Sequence, residues 1–228
     1  MTTLLHLDSS ANQSGESVTR QLSARFAQAW LARHGSAGYR YRDLGAAPVA
    51  PVSTAFCQLG RRVERHGLVA LDKVAALAES PAEEREWALT LPLIEEVRAA
   101  GTVLIGAPMY NLSVSALLKA WIDRVTFPGG FTDYDRGTSL LSETRVVIVA
   151  ARGGTYRPEG RDFQVPYLRA YFRKQGVDET RIHVVCADLT IAGIIPGLAS
   201  HRPQAERSLA EAQAAVTDLA AQLAAVQH

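Results

Sequence analysis

The sequence has almost no cysteine. Its two, Cys57 and Cys186, stand far apart and outside any Cys-x-x-Cys or His/Cys cluster. That spacing excludes a cysteine-based metal site, and no metal is expected. Two buried, reduced thiols are expected in preference to a disulfide. Nor is there an excess of charge of one sign: 24 Lys and Arg against 23 Asp and Glu leave a formal charge of +1. A nucleic-acid binder advertises a basic surplus, so no nucleic-acid partner is expected. A strongly acidic electron carrier is disfavoured on the same count. No run approaches ~18 uninterrupted apolar residues, so no membrane span is expected. The first residues, MTTLLHLDSSANQ, lack the basic start and long apolar core of a secretion signal, and the expected location is the cytoplasm. Three familiar motifs are missing as well: Walker A, GxGxxG and the GxSxG elbow of hydrolases.

What is present is an ordinary globular composition, 47% hydrophobic and 21% charged over 228 residues. A chain of this size can bury roughly 70% of its unfolded surface and needs no staple. Short apolar runs alternate with helical periods. Thr3–Leu7, Thr102–Ala107, Arg145–Ala150 and Arg181–Ala187 are strand candidates, with Tyr39–Leu44 as a weaker, edge-like one. The continuous β-branched runs at 102–107 and 145–150 fit strands covered on both faces of a parallel sheet. Val18, Leu22, Phe26 and Trp30 recur every four residues and predict a first helix. Further helical patterns run from Val114 to Val125, from Asp162 to Gln175 with Gly176 as a stop, and from Leu209 to Val226.

Strands alternating with helices predict an α/β three-layer sandwich, with a five-stranded parallel sheet in order 2-1-3-4-5 and helices on both faces. The whole chain, 1–228, is expected to be one domain. A long insert at about 45–81, between strand 2 and the following helix, breaks the metre. It holds a Pro-rich start, one or two short helices and the basic string RRVERH, and leads into a helix over about 82–99 that Pro92 should kink or break.

In such sheets ligands bind beyond the carboxyl ends of the strands. After strand 1 comes a hydroxyl-rich loop with Ser10, Ser14, Ser17, Val18 and Thr19, entering a helix. A helix N-terminus with extra hydroxyl donors cradles a phosphate without needing lysine, although Ser and Thr there also simply cap helices. After strand 3 comes Pro108-Met109-Tyr110-Asn111-Leu112. Asn111 offers both donor and acceptor to the edge of a uracil-like ring, and Met109 and Tyr110 offer flat or polarisable surface; a capped turn is the plainer alternative. After strand 4 comes Ala151-Arg152-Gly153-Gly154. Paired glycines permit unusual φ and close approach of a ligand, or merely a tight turn. The histidines His6, His34, His183, His201 and His228 form no partner pattern.

The string APMYNLSVSALLKAWIDRV, with LDSS…SVTRQL before it and ARGG after it, resembles the FMN-dependent NADH-azoreductases of the flavodoxin-like superfamily, which are also NADH:quinone oxidoreductases. The resemblance runs from residue 1 to about 226, apart from the segment near 45–80. It implies that Ser10 and Ser17-Val18-Thr19 hold the FMN phosphate. It implies that Pro108, Met109-Tyr110-Asn111-Leu112 and Ala151-Arg152-Gly153-Gly154 hold the ring. Thr19 stands where the family has Ser, Leu112 where it has Phe, and Ala151 where it has Ser. The implied activity is a ping-pong passage of two electrons from NADH or NADPH, through N5 of FMN, to quinones or azo compounds. No side chain is expected to act as catalyst, because the flavin carries the chemistry. A homodimer with the site at its interface is implied too. A flavodoxin-like electron carrier or flavin-binding module without its own NAD(P)H turnover is the alternative. The insert is expected to wall the acceptor pocket through Phe56, Leu59, Val63 and Leu68, and to attract anionic groups through Arg61, Arg62, Arg65 and His66.

Overall fold

The computed structural model describes residues 3–13, 15–156 and 160–225; the expectations for Ser14, Val226 and His228 lie outside them. Five strands form one parallel sheet: β1 (Leu4–Asp8), β2 (Tyr39–Asp43), β3 (Thr102–Pro108), β4 (Arg145–Ala151) and β5 (Ile182–Ala187). Their spatial order is β2-β1-β3-β4-β5, the expected 2-1-3-4-5. The register sets Asp8 beside Asp43 on one side and Gly106 on the other, and Pro108 beside Ala151. The carboxyl ends of β1, β3 and β4 therefore form one edge.

Alternation divides the sheet's side chains between two cores. Leu4, Leu104, Val147 and Val149 meet Leu22, Phe26 and Trp30 of α1 (Val18–His34) and Val216 of α7 (Arg202–Ala225). Leu5, Leu7, Ile105 and Ile148 face the larger core on the other side. That core holds α4 (Pro81–Arg98), α5 (Ala116–Val125) and α6 (Val165–Lys174). Gly176, at φ +91°, ends the last of these as expected.

Helix α4 runs through Pro92 without a break, contrary to the expected interruption. Pro92 and Ala88, whose carbonyl loses its partner, both lie on the exposed face. Water can satisfy that carbonyl, while Trp87, Thr90, Leu93, Ile94 and Val97 hold the opposite face in the core.

The insert contains α2 (Thr54–His66) and a short α3 (Leu71–Val74). Phe56, Leu59 and Val63 are buried in the larger core rather than lining an acceptor pocket. Phe56 meets Phe127 edge-on at 5.4 Å, and Trp87 packs on the same ring at 5.0 Å. Only Leu68 of the four expected wall residues is exposed. Arg62 is not free for a ligand either. It donates to Glu83 (2.7 Å), Glu79 (2.6 Å) and the Leu77 carbonyl (2.7 Å), bolting α2 to the start of α4. Arg61, Arg65 and His66 stay exposed. Cys57 is exposed and Cys186 partly so, both as free thiols, so the expected burial of the pair does not hold. Position 57 falls on the outer face of α2, between Phe56 and Leu59, which point inward.

Among the described residues no helix is long and apolar enough to cross a membrane, and no group of three or more His, Cys, Asp or Glu side chains is placed to hold a metal ion.

Candidate functional site

The loop leaving β1 is tied down before it reaches α1. Ser9 donates to the Gly106 carbonyl from both its amide (3.1 Å) and its hydroxyl (2.8 Å). The Ser10 hydroxyl accepts from the Asn12 amide at 3.2 Å. Ser17 is the N-cap of α1, accepting from the Arg20 amide, and its hydroxyl lies 3.0 Å from that of Thr19. Ser10, Ser17 and Thr19 are all buried. Val18 and Thr19 occupy the first two helical positions, where the amides have no intrahelical acceptor. Neither amide has a partner among the described residues. Two hydroxyls and two open amides thus converge at the positive end of a helix dipole.

The loop after β3 is a tight turn. Tyr110 and Ser113 exchange amide–carbonyl bonds at 3.0 and 3.1 Å. The central residues, Asn111 (φ +49°) and Leu112 (φ +72°), are both left-handed, the pattern of a type I′ turn. Asn tolerates this region; a leucine pays about 1–2 kcal/mol for it. Leu112→Gly is therefore expected to stabilise the protein by up to about 1 kcal/mol, after the extra chain entropy of glycine is subtracted. Urea denaturation measures it. A clear destabilisation would mean that packing of the half-buried Leu112 side chain outweighs the backbone strain.

The loop after β4 is held from behind. Arg152 is 0% exposed, and its guanidinium donates to Asp162 at 2.7 Å. Asp162 in turn accepts from the Gln164 and Val165 amides at the start of α6. The Arg152 amide donates to Ala187, and its carbonyl accepts from Thr190. Arg152 thus supports the loop from inside, leaving Gly153 and Gly154 at its tip. Neither glycine has a positive φ, so the unusual backbone expected of them is not what requires glycine. At Gly153 a Cβ would fall 2.9 Å from Ile191 Cδ1; at Gly154 it would make only ordinary contact with the Tyr156 ring, at 3.4 Å.

The three loops are laced to one another. Tyr110 crosses from the β3 loop to the β1 loop, where its hydroxyl accepts from the Ala11 amide (3.1 Å) and lies 3.4 Å from the Ser10 hydroxyl. Met109 donates to the Ala151 carbonyl at 3.0 Å, and Phe163 to the Leu112 carbonyl at 3.2 Å. A groove of about 480 Å³ opens beside the turn, between Tyr110, Asn111, Lys119 and Tyr167.

Residues 2–223 match the model of a family described by its flavodoxin-like fold. The FMN-dependent NADH:quinone oxidoreductase of Nocardia farcinica is 38% identical over 216 residues, spanning 93% of this chain and 94% of its own. The protein of the same name from Frankia alni is 33% identical over 230 residues, 97% and 100% of the two chains. This chain belongs to that flavodoxin-like family. Among solved structures, an FMN-dependent NADH-azoreductase of Bacillus anthracis, determined in complex with FMN, superposes with a TM-score of 0.75 at 17% identity, covering 98% of this chain and all of the other. That likeness speaks for the flavodoxin-like fold.

Behind the first of the three loops lies a buried polar cluster that the sequence reading passed over. Asp8, at the end of β1, accepts from the Ser23 hydroxyl (2.8 Å) and the Tyr41 hydroxyl (3.0 Å). His6, two residues earlier on the same strand face, is 3.5 Å from Asp8 and shares a hydrogen bond with Tyr39 at 2.9 Å. Arg20 forks onto Asp43. That contact holds Asp43 below the usual carboxylate range; burial opposes it, and amide donors from Ala46 and Gly45 reinforce it. Burial, with the Asp8 charge beside it, pushes the Tyr41 phenol well above its ordinary value. The signal was there: two polar residues at alternate positions in an otherwise apolar strand, LHLD.

Proposed function

We propose that the chain binds FMN across the three laced loops and passes two electrons from NADH to quinones and azo compounds. The observation that carries this reading is the convergence of a helix-capping hydroxyl loop, an Asn-bearing turn and a Gly-Gly tip, hydrogen-bonded to one another at one sheet edge. The donor set fits the group. The hydroxyls of Ser17 and Thr19, with the open amides of Val18 and Thr19, match a dianionic phosphate. Ser10 borders them, and the amide of Asn111, with Pro108, Met109, Tyr110 and Leu112 around it, suits the polar edge and face of a flat heterocycle. Ala151, Arg152, Gly153 and Gly154 form the opposite wall, with Arg152 acting from behind.

When bound, FMN supplies hydride acceptance and two-electron return. The chain binds it, orients it and excludes water from one face. NADH is the donor in the relatives' names, and NADPH is an alternative to be tested beside it. Residues 1–228 act as one unit in this reading, with 45–81 as an internal buttress. A cytoplasmic homodimer sharing the site belongs to it too. Two grooves of about 480 and 430 Å³ flank Tyr167 on the face of α5 and α6 and leave room there for a second copy.

The test is colour. Purified protein should be yellow, or become so with FMN, and should bleach anaerobically on adding NADH and recover on adding a quinone. Colourless protein that takes up no FMN would overturn the reading. Flavin that NADH leaves oxidised would favour a carrier.

Gly154 offers a sharper local check. Because a Cβ there makes only ordinary contact within the protein itself, Gly154→Ala should leave the thermal midpoint of the flavin-free protein in place. It should cost about 1–3 kcal/mol of FMN affinity through crowding of the ring. Full affinity would show that this tip does not approach the cofactor.

A further inference from the structure

We propose that Arg20 is a positioning residue for the FMN phosphate, fixing both ends of the loop that receives it; the proposal rests on the FMN reading above. Arg20 lies in the first turn of α1 and is 7% exposed. Its backbone amide donates to the Ser17 hydroxyl, at the far end of the loop. Its guanidinium reaches back to the near end, where Nη2 donates to the Ser10 carbonyl at 2.8 Å. One residue thereby closes the loop from Ser10 to Ser17.

The same guanidinium ties in a third segment. Nη1 and Nη2 donate to the two Asp43 oxygens at 2.8 and 2.6 Å. Asp43 Oδ1 also accepts from the amides of Gly45 and Ala46 as the chain leaves β2. Gly45 sits so close that a Cβ on it would fall 2.6 Å from the Ser10 carbonyl oxygen and 2.8 Å from Arg20 Nη2. Only glycine allows this approach. The phosphate loop, the start of α1 and the exit of β2 therefore meet on one side chain.

Arg20 does not offer its Nη atoms to the phosphate, and its Nε is buried without a partner among the described residues. The four hydrogens on its Nη atoms are taken by Ser10, by the two Asp43 oxygens and by the Tyr41 hydroxyl at 3.3 Å. Asp8, 3.8 Å away, adds a second negative charge. Two carboxylates offset the one cation, so a purely electrostatic attraction for a dianion is excluded. What remains is geometry. With its carbonyl taken by Arg20, Ser10 has its hydroxyl left for a ligand, beside the Asn12 amide and the Tyr110 hydroxyl. With its oxygen accepting from the Arg20 amide, the Ser17 hydroxyl is held beside that of Thr19 at 3.0 Å, and a phosphate that takes the place of this contact receives both protons. A preset loop avoids paying ordering entropy when the ligand arrives.

The test compares FMN with riboflavin, which has the same ring and no phosphate. Dissociation constants for both are measured by fluorescence titration of the full-length, flavin-stripped protein. Arg20→Gln should weaken FMN by about tenfold or more and leave riboflavin unchanged. Arg20→Lys keeps the charge but puts one nitrogen where arginine has two, losing the paired grip on the Asp43 carboxylate, so it should behave like Arg20→Gln. Restoration of wild-type FMN affinity by lysine would overturn the positioning role in favour of charge. Equal weakening of both flavins, or of neither, would overturn it as well. If Arg20→Gln does not fold, Asp43→Asn takes its place. It keeps Arg20 but loosens its anchor, and should again weaken FMN selectively. Should the wild-type protein bind neither flavin, the functional reading itself falls, and this inference with it.

Discussion

Arg124→Ala is expected to destabilise the protein by about 3–5 kcal/mol, the cost of leaving a partly buried carboxylate and two backbone carbonyls without their donor. Arg124 is 1% exposed and lies near the end of α5. Its guanidinium meets Glu86 of α4 at 2.6 Å, with Thr90 at 3.2 Å. Its Nε and Nη2 catch the Ala50 and Pro51 carbonyls at 2.9 and 3.0 Å. A proline-containing stretch has few amides with which to join a sheet or helix, but it keeps its carbonyls. Arg124 supplies the donors that let 48–52 lie against the core. Ser53 completes the joint by donating to the other Glu86 oxygen at 2.6 Å.

For a domain of ordinary stability, about 5–15 kcal/mol, that loss is a fifth or more of the whole. The two effects on Glu86 are opposed: burial raises its pKa, while the bonds from Ser53 and Arg124 and the Arg124 charge lower it, and the lowering wins. A carboxylate depressed in the folded state stabilises above its unfolded pKa, near the ordinary glutamate value. That contribution fades as pH falls through the depressed folded value. The gap between wild type and Arg124→Ala in urea midpoint should accordingly be full at neutral pH and narrow in acid. A gap below about 1 kcal/mol at pH 7 would mean that water replaces Arg124 at these carbonyls.

The sheet was legible because its strands are covered on both faces. Val103–Ala107 and Val146–Ala151 are buried at every position, and continuous apolar runs of that length have few other uses. The insert was legible only in part. The spacing of Phe56, Leu59 and Val63 announces a helix with one apolar face, but period alone does not say what that face meets. Phe127 and Trp87, which receive it, lie 71 and 31 residues downstream of Phe56. The basic string misled for the same reason. Arg62 looks like its neighbours in sequence, and only the fold brings Glu79 and Glu83 onto it.

The site divides in the same way. Ser10, Ser17, Thr19, Tyr110, Asn111 and Gly154 could be singled out because they follow strands in a sheet whose ligand edge is fixed by its handedness. Arg152 was singled out with them. Its burial behind the loop depends on Asp162 and Asp188, which come from two later connections. The Asp8–Arg20–Asp43 cluster escaped because its members sit on three elements and none repeats a known spacing. The alternation in LHLD marks Asp8, but Arg20 and Asp43 are unremarkable until β1 and β2 pair in register at Asp8 and Asp43.

Removing both hydroxyls of the phosphate cradle is expected to give the largest effect on cofactor binding. Hydrogen bonds to a charged group are worth about 1.5–3 kcal/mol each. In the free protein the hydroxyls of Ser17 and Thr19 bond to each other at 3.0 Å, so a ligand exchanges that contact and does not create two bonds from nothing. The lower end of the range therefore applies, about 3 kcal/mol for the pair, or on the order of a hundredfold in Kd. Ser17 is also the cap of α1, and alanine there would cost about 1 kcal/mol of stability, whereas glycine costs only a few tenths. Ser17→Gly with Thr19→Val is thus the cleaner double variant, since valine fills the buried space of Thr19. FMN affinity should fall about a hundredfold, while riboflavin, without a phosphate, binds as before. The flavin-free protein should unfold near its wild-type midpoint. If FMN affinity is unmoved, or riboflavin falls with it, the phosphate does not sit at the start of α1 and the orientation of the cofactor across the three loops must be redrawn.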